Sequence, residues 1–300
     1  MTTLAELEAV LSVARLRSFR AAAGALGVST SALSHTIAGL ERELGVRLFN
    51  RTTRSVAVTD AGAAFVANIS PALLDIRAAM EIAGSSGGTP AGSLRINTSA
   101  AAALRCMPLF TDFAQRFPAV KLDIVTEGRL IDIVADGFDA GIRLAESVPQ
   151  DMIAVQIEPA LRYVVVATPE CVNAAGAPAT PAELLSKPCI RMRLPSGALY
   201  RWEFVDQGVP AEIDVRGTLT LDNPALIREA ACKGLGFAYL AEWHVAEDLA
   251  QGRLVQVLAD AAPSVEGLCL YYPGRRHVPP SLHALVEMAR ERFRSRRQGP

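Results

Sequence analysis

The 300-residue chain lacks any run approaching ~18 uninterrupted apolar residues, so no membrane span and no membrane partner are expected. Its first residues, MTTLAELEAV, carry acids where a signal peptide needs a basic stretch, and a cytoplasmic location is expected. The five cysteines (Cys106, Cys171, Cys189, Cys232 and Cys269) form no C-x-x-C, which argues against a zinc knuckle or a disulfide framework. An odd count fits reduced thiols used as small buried hydrophobes, with a redox-sensing pair as the alternative. The four histidines (His35, His244, His277 and His283) have no metal-ligand spacing, and no P-loop is present. LPSGAL is not a nucleophile elbow, and GLGFAY lacks the third glycine of a dinucleotide fingerprint. No catalytic residue, metal site or cofactor is therefore expected. The net charge of −1 gives no global sign of a nucleic-acid partner, so charge has to be followed along the chain.

What is present is ample apolar content, half of all residues, in a chain long enough for two or three domains. Leu4, Leu7, Val10 and Leu11 recur at helical spacing. Ser18 can cap a second helix that turns Phe19, Ala22, Ala23 and Leu26 inward, and Gly27 ends it, with Val28 packing the turn. Ser29 can cap a third helix running to Leu44, with Gly45 as its stop. VRLFN and SVAVT then read as two short strands around the tip RTTR. From Thr59 a long helix carries Phe65, Ile69, Leu73, Ile76 and Met80 near a 3.5-residue repeat. A dimer seam is the favoured reading of that stripe, and packing within the chain the other. AGSSGGTPAGS breaks all periodicity and marks a boundary.

Beyond it, strands and helices alternate: LRINT, a helix over 101–117, VKLDIVT, a short helix around Ile131–Ala135, AGIRL, YVVVAT, CIRMR, RWEFV and DVRGTLTL. A helix from Pro224 to Lys233, FAYLA, a helix near Trp243–Leu249, LVQVL, LCLYY and a last helix from Ser281 follow. The alternation predicts a mostly parallel α/β sheet, divided into two small lobes.

Charge is uneven. Between residues 15 and 59, Arg15, Arg17, Arg20, Arg42, Arg47, Arg51 and Arg54 oppose only Glu41 and Glu43, a surplus of five. On a helix–turn–helix–hairpin this is the footprint of a DNA reader, because phosphate neutralisation supplies most of the affinity. In the third helix Leu33, Ile37, Leu40 and Leu44 share one sector, with Ser31, Ser34, His35, Ala38, Gly39 and Arg42 opposite. A major groove about 12 Å wide admits a helix whose facing side chains are compact. Ser29 and Thr30 lie at the helix N-terminus, where backbone N–H groups favour phosphate. Close helix–helix packing is the other use of such a face.

In the second half, ligands are expected outside the carboxyl ends of the strands. Thr98 and Ser99 follow the first strand, Thr126 and Glu127 end the second, and Arg143 ends the third. Arg191, Arg193, Ser196, Tyr200 and Trp202 fall near the expected inter-lobe cleft. Arginine beside helix-end hydroxyls suits a small carboxylate.

The stretch FRAAAGALGVSTSALSHTIAGLERELGVRLFNRTTRSVAVTDAG resembles the winged helix-turn-helix of the LysR-type transcriptional regulators, and the similarity continues through GSLRIN over essentially the whole chain. The resemblance implies an α+β multidomain protein. A winged helix-turn-helix over 1–58, a dimerising linker helix over 59–83 and a hinge over 84–92 lead to a periplasmic-binding-protein-like effector domain over 93–300. Lobe I of that domain covers about 93–160 and 267–300, and lobe II about 161–266. It further implies a dimer of dimers on double-stranded promoter DNA, controlled by a small-molecule effector, with RNA polymerase as a further partner. Many members have Gln-Pro at Thr30-Ser31 and Arg at His35, whereas Ser34, Arg51 and Arg54 follow the common pattern. The expected DNA contacts are thus Ser29, Thr30, Ser31, Ser34, His35 and Arg42, with Arg51 and Arg54 in the wing. The expected effector contacts are Thr98, Ser99, Thr126, Arg143, Arg193, Ser196 and Trp202. The alternative is a solute-binding α/β protein or an enzyme with an N-terminal interaction domain.

Overall fold

The computed structural model describes residues 2–51, 56–84, 89–206, 208–274 and 278–298. Three helices, α1 (Leu4–Leu16), α2 (Phe19–Leu26) and α3 (Thr30–Leu44), precede an antiparallel hairpin of β1 (Phe49–Arg51) and β2 (Val56–Val58). Local chemistry draws the boundaries. Thr3 and Glu6 form a capping box on α1, while the Ser18 and Ser29 hydroxyls accept N–H bonds from Ala21 and Ala32. Gly27 and Gly45 end α2 and α3 with φ of 68° and 71°, where a side chain would strain the backbone.

The helices share a core of Val10, Val13, Ala22, Ala23, Leu33, Ile37 and Leu40, with Phe19 and Leu26 packed against it. Two expectations shift. Val10 is buried as expected, but Leu4 is exposed and Ala9 and Val13 are buried instead, because α2 and α3 cover that side of α1. Leu44 is 39% exposed and Val28 46%, so neither belongs to the core.

The long helix is α4 (Asp60–Gly84). By length and composition Asp60–Ala83 could cross a membrane, contrary to expectation. It carries Asp75 and Arg77 mid-length and packs beside α1, where Arg77 Nη2 donates to Glu8 Oε1 at 2.8 Å. The expected seam divides. Phe65 and Ile69 pack on the N-terminal core and Leu73 is buried in its own chain, whereas Ile76 and Met80 are 43% and 63% exposed.

Lobe I begins with β3 (Gly92–Thr98), α5 (Ala100–Arg116), β4 (Val120–Thr126), β5 (Ala140–Leu144) and β6 (Met152–Gln156). The chain crosses to lobe II through β7 (Leu161–Ala167), α6 (Pro169–Ala175), β8 (Ile190–Met192), β9 (Trp202–Asp206) and β10 (Val209–Ile213). Lobe II continues with β11 (Leu219–Leu221), α7 (Pro224–Cys232), β12 (Ala238–Ala241), α8 (Glu242–Ala250), β13 (Val255–Val257) and β14 (Ser264–Val265). β15 (Leu268–Pro273) and α9 (Pro280–Gln298) return it to lobe I.

The sheet of lobe I has the order β4-β3-β5-β15-β6. In lobe II the pair β11-β8 joins β12-β7-β13 through the parallel Cys189–Phe237 bridge, giving the same order by position. The sheets are mixed and not mostly parallel: β15 runs antiparallel to β5 and β6, and β7 to β12 and β13. The reason is connectivity, since each of these strands enters its sheet from the other lobe. β6, α6, β10 and β14 have no counterpart in the expected elements. The helix expected at Ile131–Ala135 is a series of turns in which Asp132 Oδ1 accepts the Val134 and Ala135 N–H groups at 3.0 Å. That local bonding competes with helix.

Candidate nucleic-acid interface and inter-lobe cleft

Among the described residues, none covers the exposed part of the small-residue side of α3. Thr30, Ser31, His35 and Arg42 are exposed, with Ser34, Ala38 and Gly39 half-buried. A Cβ built on Gly39 would meet only the far end of Arg42, at 3.9 Å, so intrachain packing does not require the glycine. The helix-packing use of this face is therefore not realised among the described residues. The small surface continues onto α2, where Ala21, Gly24 and Ala25 are exposed. Ser29 spends its hydroxyl on the helix, accepting from Ala32 N–H at 3.1 Å and sharing a 3.0 Å bond with the Ser31 hydroxyl. Arg42 Nε donates to the Ala38 carbonyl at 3.3 Å, which lays its side chain back along the helix.

The wing is anchored by residues that the sequence pattern left unremarked. Glu41 Oε1 accepts the N–H groups of Leu48 and Phe49 at 2.8 and 3.1 Å, tying α3 to the first wing strand. Thr59 donates to the Arg47 carbonyl at 2.7 Å and accepts Gly62 N–H at 3.0 Å. Gly62 packs so closely that a Cβ would overlap the Leu48 carbonyl oxygen. The stretch TDAG carried this signal, a capping hydroxyl three residues before a glycine. Arg54 and the side chain of Arg51 lie outside the described residues. Arg15 does not join the basic surface: it lines a cleft against Arg95 and Asp136 of lobe I.

In the effector half, the carboxyl ends of strands from the two lobes converge. Gly128, just past β4, meets Pro195, just past β8. Arg105 of α5 pairs with the buried Glu158 at 2.7 Å and lies over the Trp243 ring, past β12, at 5.9 Å. Ser99 caps α5 through Ala102 N–H at 3.2 Å, and Thr126 is exposed at the end of β4.

Arg143 is 6% exposed and makes no ion pair among the described residues. Its Nη1 donates to the Ile142 carbonyl at 2.8 Å, and Nη2 to Asn97 Oδ1 and to the Glu127 and Arg129 carbonyls at 2.9 and 3.2 Å. Its Nε and Asn97 Nδ2 are buried without an acceptor among the described residues. Burial lowers the pKa of the guanidinium, with Tyr271 and Glu127 acting the other way.

Arg193 is exposed and donates to the Gly197 carbonyl at 3.1 Å, bracing the turn that also carries the exposed Ser196. Arg191 is held by Asp214 at 2.8 Å, and Tyr200 donates to Glu203 Oε1 at 3.1 Å. Two expected contacts are corrected. Trp202 is fully buried in lobe II, stacked 5.4 Å from Tyr239, and cannot reach the cleft. Thr98 is likewise fully buried, its hydroxyl turned to the Ile142 and Ser99 carbonyls. Backbone alternation puts Trp202, the first residue of β9, on the same buried face as Phe204, and Thr98, the last of β3, on that of Ile96.

Among the described residues no group of three or more His, Cys, Asp and Glu side chains could hold a metal. Cys106, Cys189 and Cys269 are buried, and burial raises the Cys189 thiol to about 12, so it stays protonated. A larger cavity of about 420 Å³, lined by Pro90, Phe117 and Val278, opens at the amino ends of β3 and β4, away from the cleft.

Comparison with known proteins agrees along the whole length. Residues 4–63 match the bacterial regulatory helix-turn-helix protein, lysR family, and residues 87–294 match the LysR substrate binding domain. The chain is 39% identical over 285 residues to the HTH-type transcriptional regulator YcaN of Escherichia coli strain K12, covering 95% of this chain and 93% of that protein. It is 34% identical over 286 residues to PgrR of the same organism, with 95% and 96% covered. The full-length Vibrio cholerae virulence activator AphB superposes at a TM-score of 0.67 and 22% identity, over 97% of this chain and 100% of that one. CrgA of Neisseria meningitidis does so at 0.61 and 26%, over 97% and 99%.

Proposed function

The chain belongs to the LysR family of bacterial transcriptional regulators, and on that premise we propose that α3 reads a promoter operator in the major groove while the inter-lobe cleft takes a small carboxylate effector. As a family member it is a DNA-binding regulator with an effector-binding domain, and not an enzyme. The observation that carries the DNA reading is the face of Thr30, Ser31, Ser34 and His35, compact enough for a groove and accompanied on the same helix by the exposed Arg42. Arg42 and Ser29 contact phosphate beside it, and Arg51 and Arg54 reach the minor groove from the wing.

We infer a reader over 1–58, a linker helix over 59–83, a hinge over 84–92 and an effector domain beyond, a division supported by the separate matches over 4–63 and 87–294. Two copies pair through the exposed Ile76 and Met80 of α4, and two such dimers form the tetramer that acts in the cytoplasm and meets RNA polymerase. In the effector domain, Arg143 Nε and Asn97 Nδ2, two buried donors without acceptors among the described residues, favour an anionic group. Ser99, Thr126, Arg193 and Ser196 complete the site at the strand ends, while Thr98 and Trp202 support it from within the lobes.

Fluorescence anisotropy with the DNA upstream of the protein's own gene, across a salt series, tests the reading. Specific binding that weakens steeply with salt is expected. Binding that is indifferent to DNA sequence would overturn it. For the cleft, Arg143→Lys should abolish the response of that binding to small carboxylates, and an undiminished response would remove Arg143 from the site.

A further inference from the structure

A cleft of about 120 Å³ separates the DNA-binding unit from lobe I. Ser12 and Arg15 of α1, Arg77 of α4, and Arg95 and Asp136 of lobe I line it. Two of the three guanidinium groups are engaged. Arg77 donates to Glu8 at 2.8 Å, and Arg95 donates to Asp123 Oδ2 at 2.8 Å and to the Gly137 carbonyl at 3.0 Å. Arg15 makes no ion pair among the described residues. Partial desolvation, followed by the charge of Arg95, lowers its pKa, with Asp123 and Asp136 acting the other way.

The second observation is independent of charge. Ser12 is 6% exposed, lines the same cleft, and its hydroxyl is buried without a hydrogen-bond partner among the described residues. The hydroxyl and the nearby arginine are two donors with no bonded acceptor among the described residues, although the Glu8 and Asp136 carboxylates line the same cleft. The space equals that of about four waters in the liquid, which suits a group of four or five heavy atoms.

We propose that this junction is a second small-molecule site, which takes a small oxyanion such as phosphate, sulfate or a short carboxylate between Arg15 and the Ser12 hydroxyl. It is separate from the inter-lobe cleft and does not depend on the effector reading. An anion seated there bridges α1 of the DNA-binding unit to lobe I of the same chain, so its occupancy changes how firmly the reader is held. Asp136, on the opposite wall and without an ion-pair partner among the described residues, opposes the anion.

The test is thermal unfolding of the full-length protein titrated with inorganic phosphate, at ionic strength held constant with chloride. A saturable rise in Tm is expected. Sulfate and acetate titrated in the same way identify which oxyanion the site prefers. Arg15→Gln should weaken phosphate by about tenfold and Ser12→Ala by a smaller factor, while Asp136→Asn should tighten it several-fold. Arg42→Gln, on the DNA face, should leave it unchanged. The proposal is overturned if neither the wild type nor Asp136→Asn responds to phosphate. It is equally overturned if the response survives Arg15→Gln but disappears in Arg42→Gln, which would put the phosphate on the DNA face.

Discussion

Gly128 and Pro195 close one edge of the inter-lobe cleft: a Cβ on the glycine would lie 3.0 Å from the proline Cγ. Both loops are braced from behind. Arg143 Nη2 holds the carbonyls on either side of Gly128, and bonds from Leu194 N–H to Ala198 and from Gly197 N–H to Leu194 close the turn around Pro195. The contact therefore joins two stiff segments, one from each lobe, at the mouth of the cleft.

Gly128→Val should wedge that mouth open. The branched side chain cannot be accommodated by the few tenths of an ångström that suffice for alanine, and a cost of about 1–3 kcal/mol is expected, against under about 1 kcal/mol for Gly128→Ala. Hydrogen exchange should quicken in residues 127–130 and 193–199 of the valine variant. Unchanged exchange would mean that the loops do not meet in solution.

Gly62→Ala should damage the DNA-binding unit without touching any reading residue. Its Cβ would overlap the Leu48 carbonyl and come within 2.8 Å of Val58 Cγ1, so the wing or the start of α4 must move. A loss of about 1–3 kcal/mol in urea unfolding is expected, together with weaker DNA binding. Full stability in the variant would contradict the packing of wing on helix.

Asp248 is fully buried and serves two arginines, Arg228 at 2.7 Å and Arg253 at 2.6 Å. Burial on its own would raise its pKa, but the bonds from Arg228 and Arg253 together outweigh it and hold the carboxyl below its ordinary 3.8. Asp248→Asn should cost about 1–3 kcal/mol, because both partly exposed guanidinium groups lose their shared anion. A depressed carboxyl contributes stability that is present above pH 3.8 and lost as pH falls through the folded value. The variant should accordingly lack that part of the acid transition, as read from unfolding curves below pH 4.

His244 acts in a higher pH window. Burial, with Arg228 nearby, lowers its pKa from 6.5 to about 4, and its ring stacks on Trp243 at 3.6 Å. Between those values the unfolded chain takes up the proton first, so stability is full above pH 6.5 and falls towards pH 4, by about 3 kcal/mol at most. His244→Gln should flatten stability between pH 6.5 and 4. A slope that persists in the variant would assign it to other groups.

Much of the reader was legible because its signals are local. Ser29 starts α3 through a bond to Ala32, three positions on, Gly45 stops it with a positive φ, and Leu33, Ile37 and Leu40 mark its inner face by period alone. The wing anchors were less legible, since Glu41 acts on Leu48 and Phe49, seven and eight residues on, and no period records that. In the effector half, the strand ends at Ser99, Thr126 and Arg143 could be found, but Asn97 and the Gly128–Pro195 contact could not. Those relationships join segments tens of residues apart.

The sequence by itself determined the element types, the caps, the compact outward face of α3 and the family to which the chain belongs, all of which rest on short-range geometry or on extended similarity. Only the tertiary structure decided which side of each element is covered. It turned Phe65, Ile69 and Leu73 of the apparent seam onto their own chain, buried Trp202 and Thr98 away from the cleft, and drew Arg15 towards lobe I. It also set β7 and β15 antiparallel to their neighbours. The physical reason is common to all of these. A period of 3.6 or 2 tells which residues share a face, but burial and strand direction depend on what the rest of the chain brings against that face.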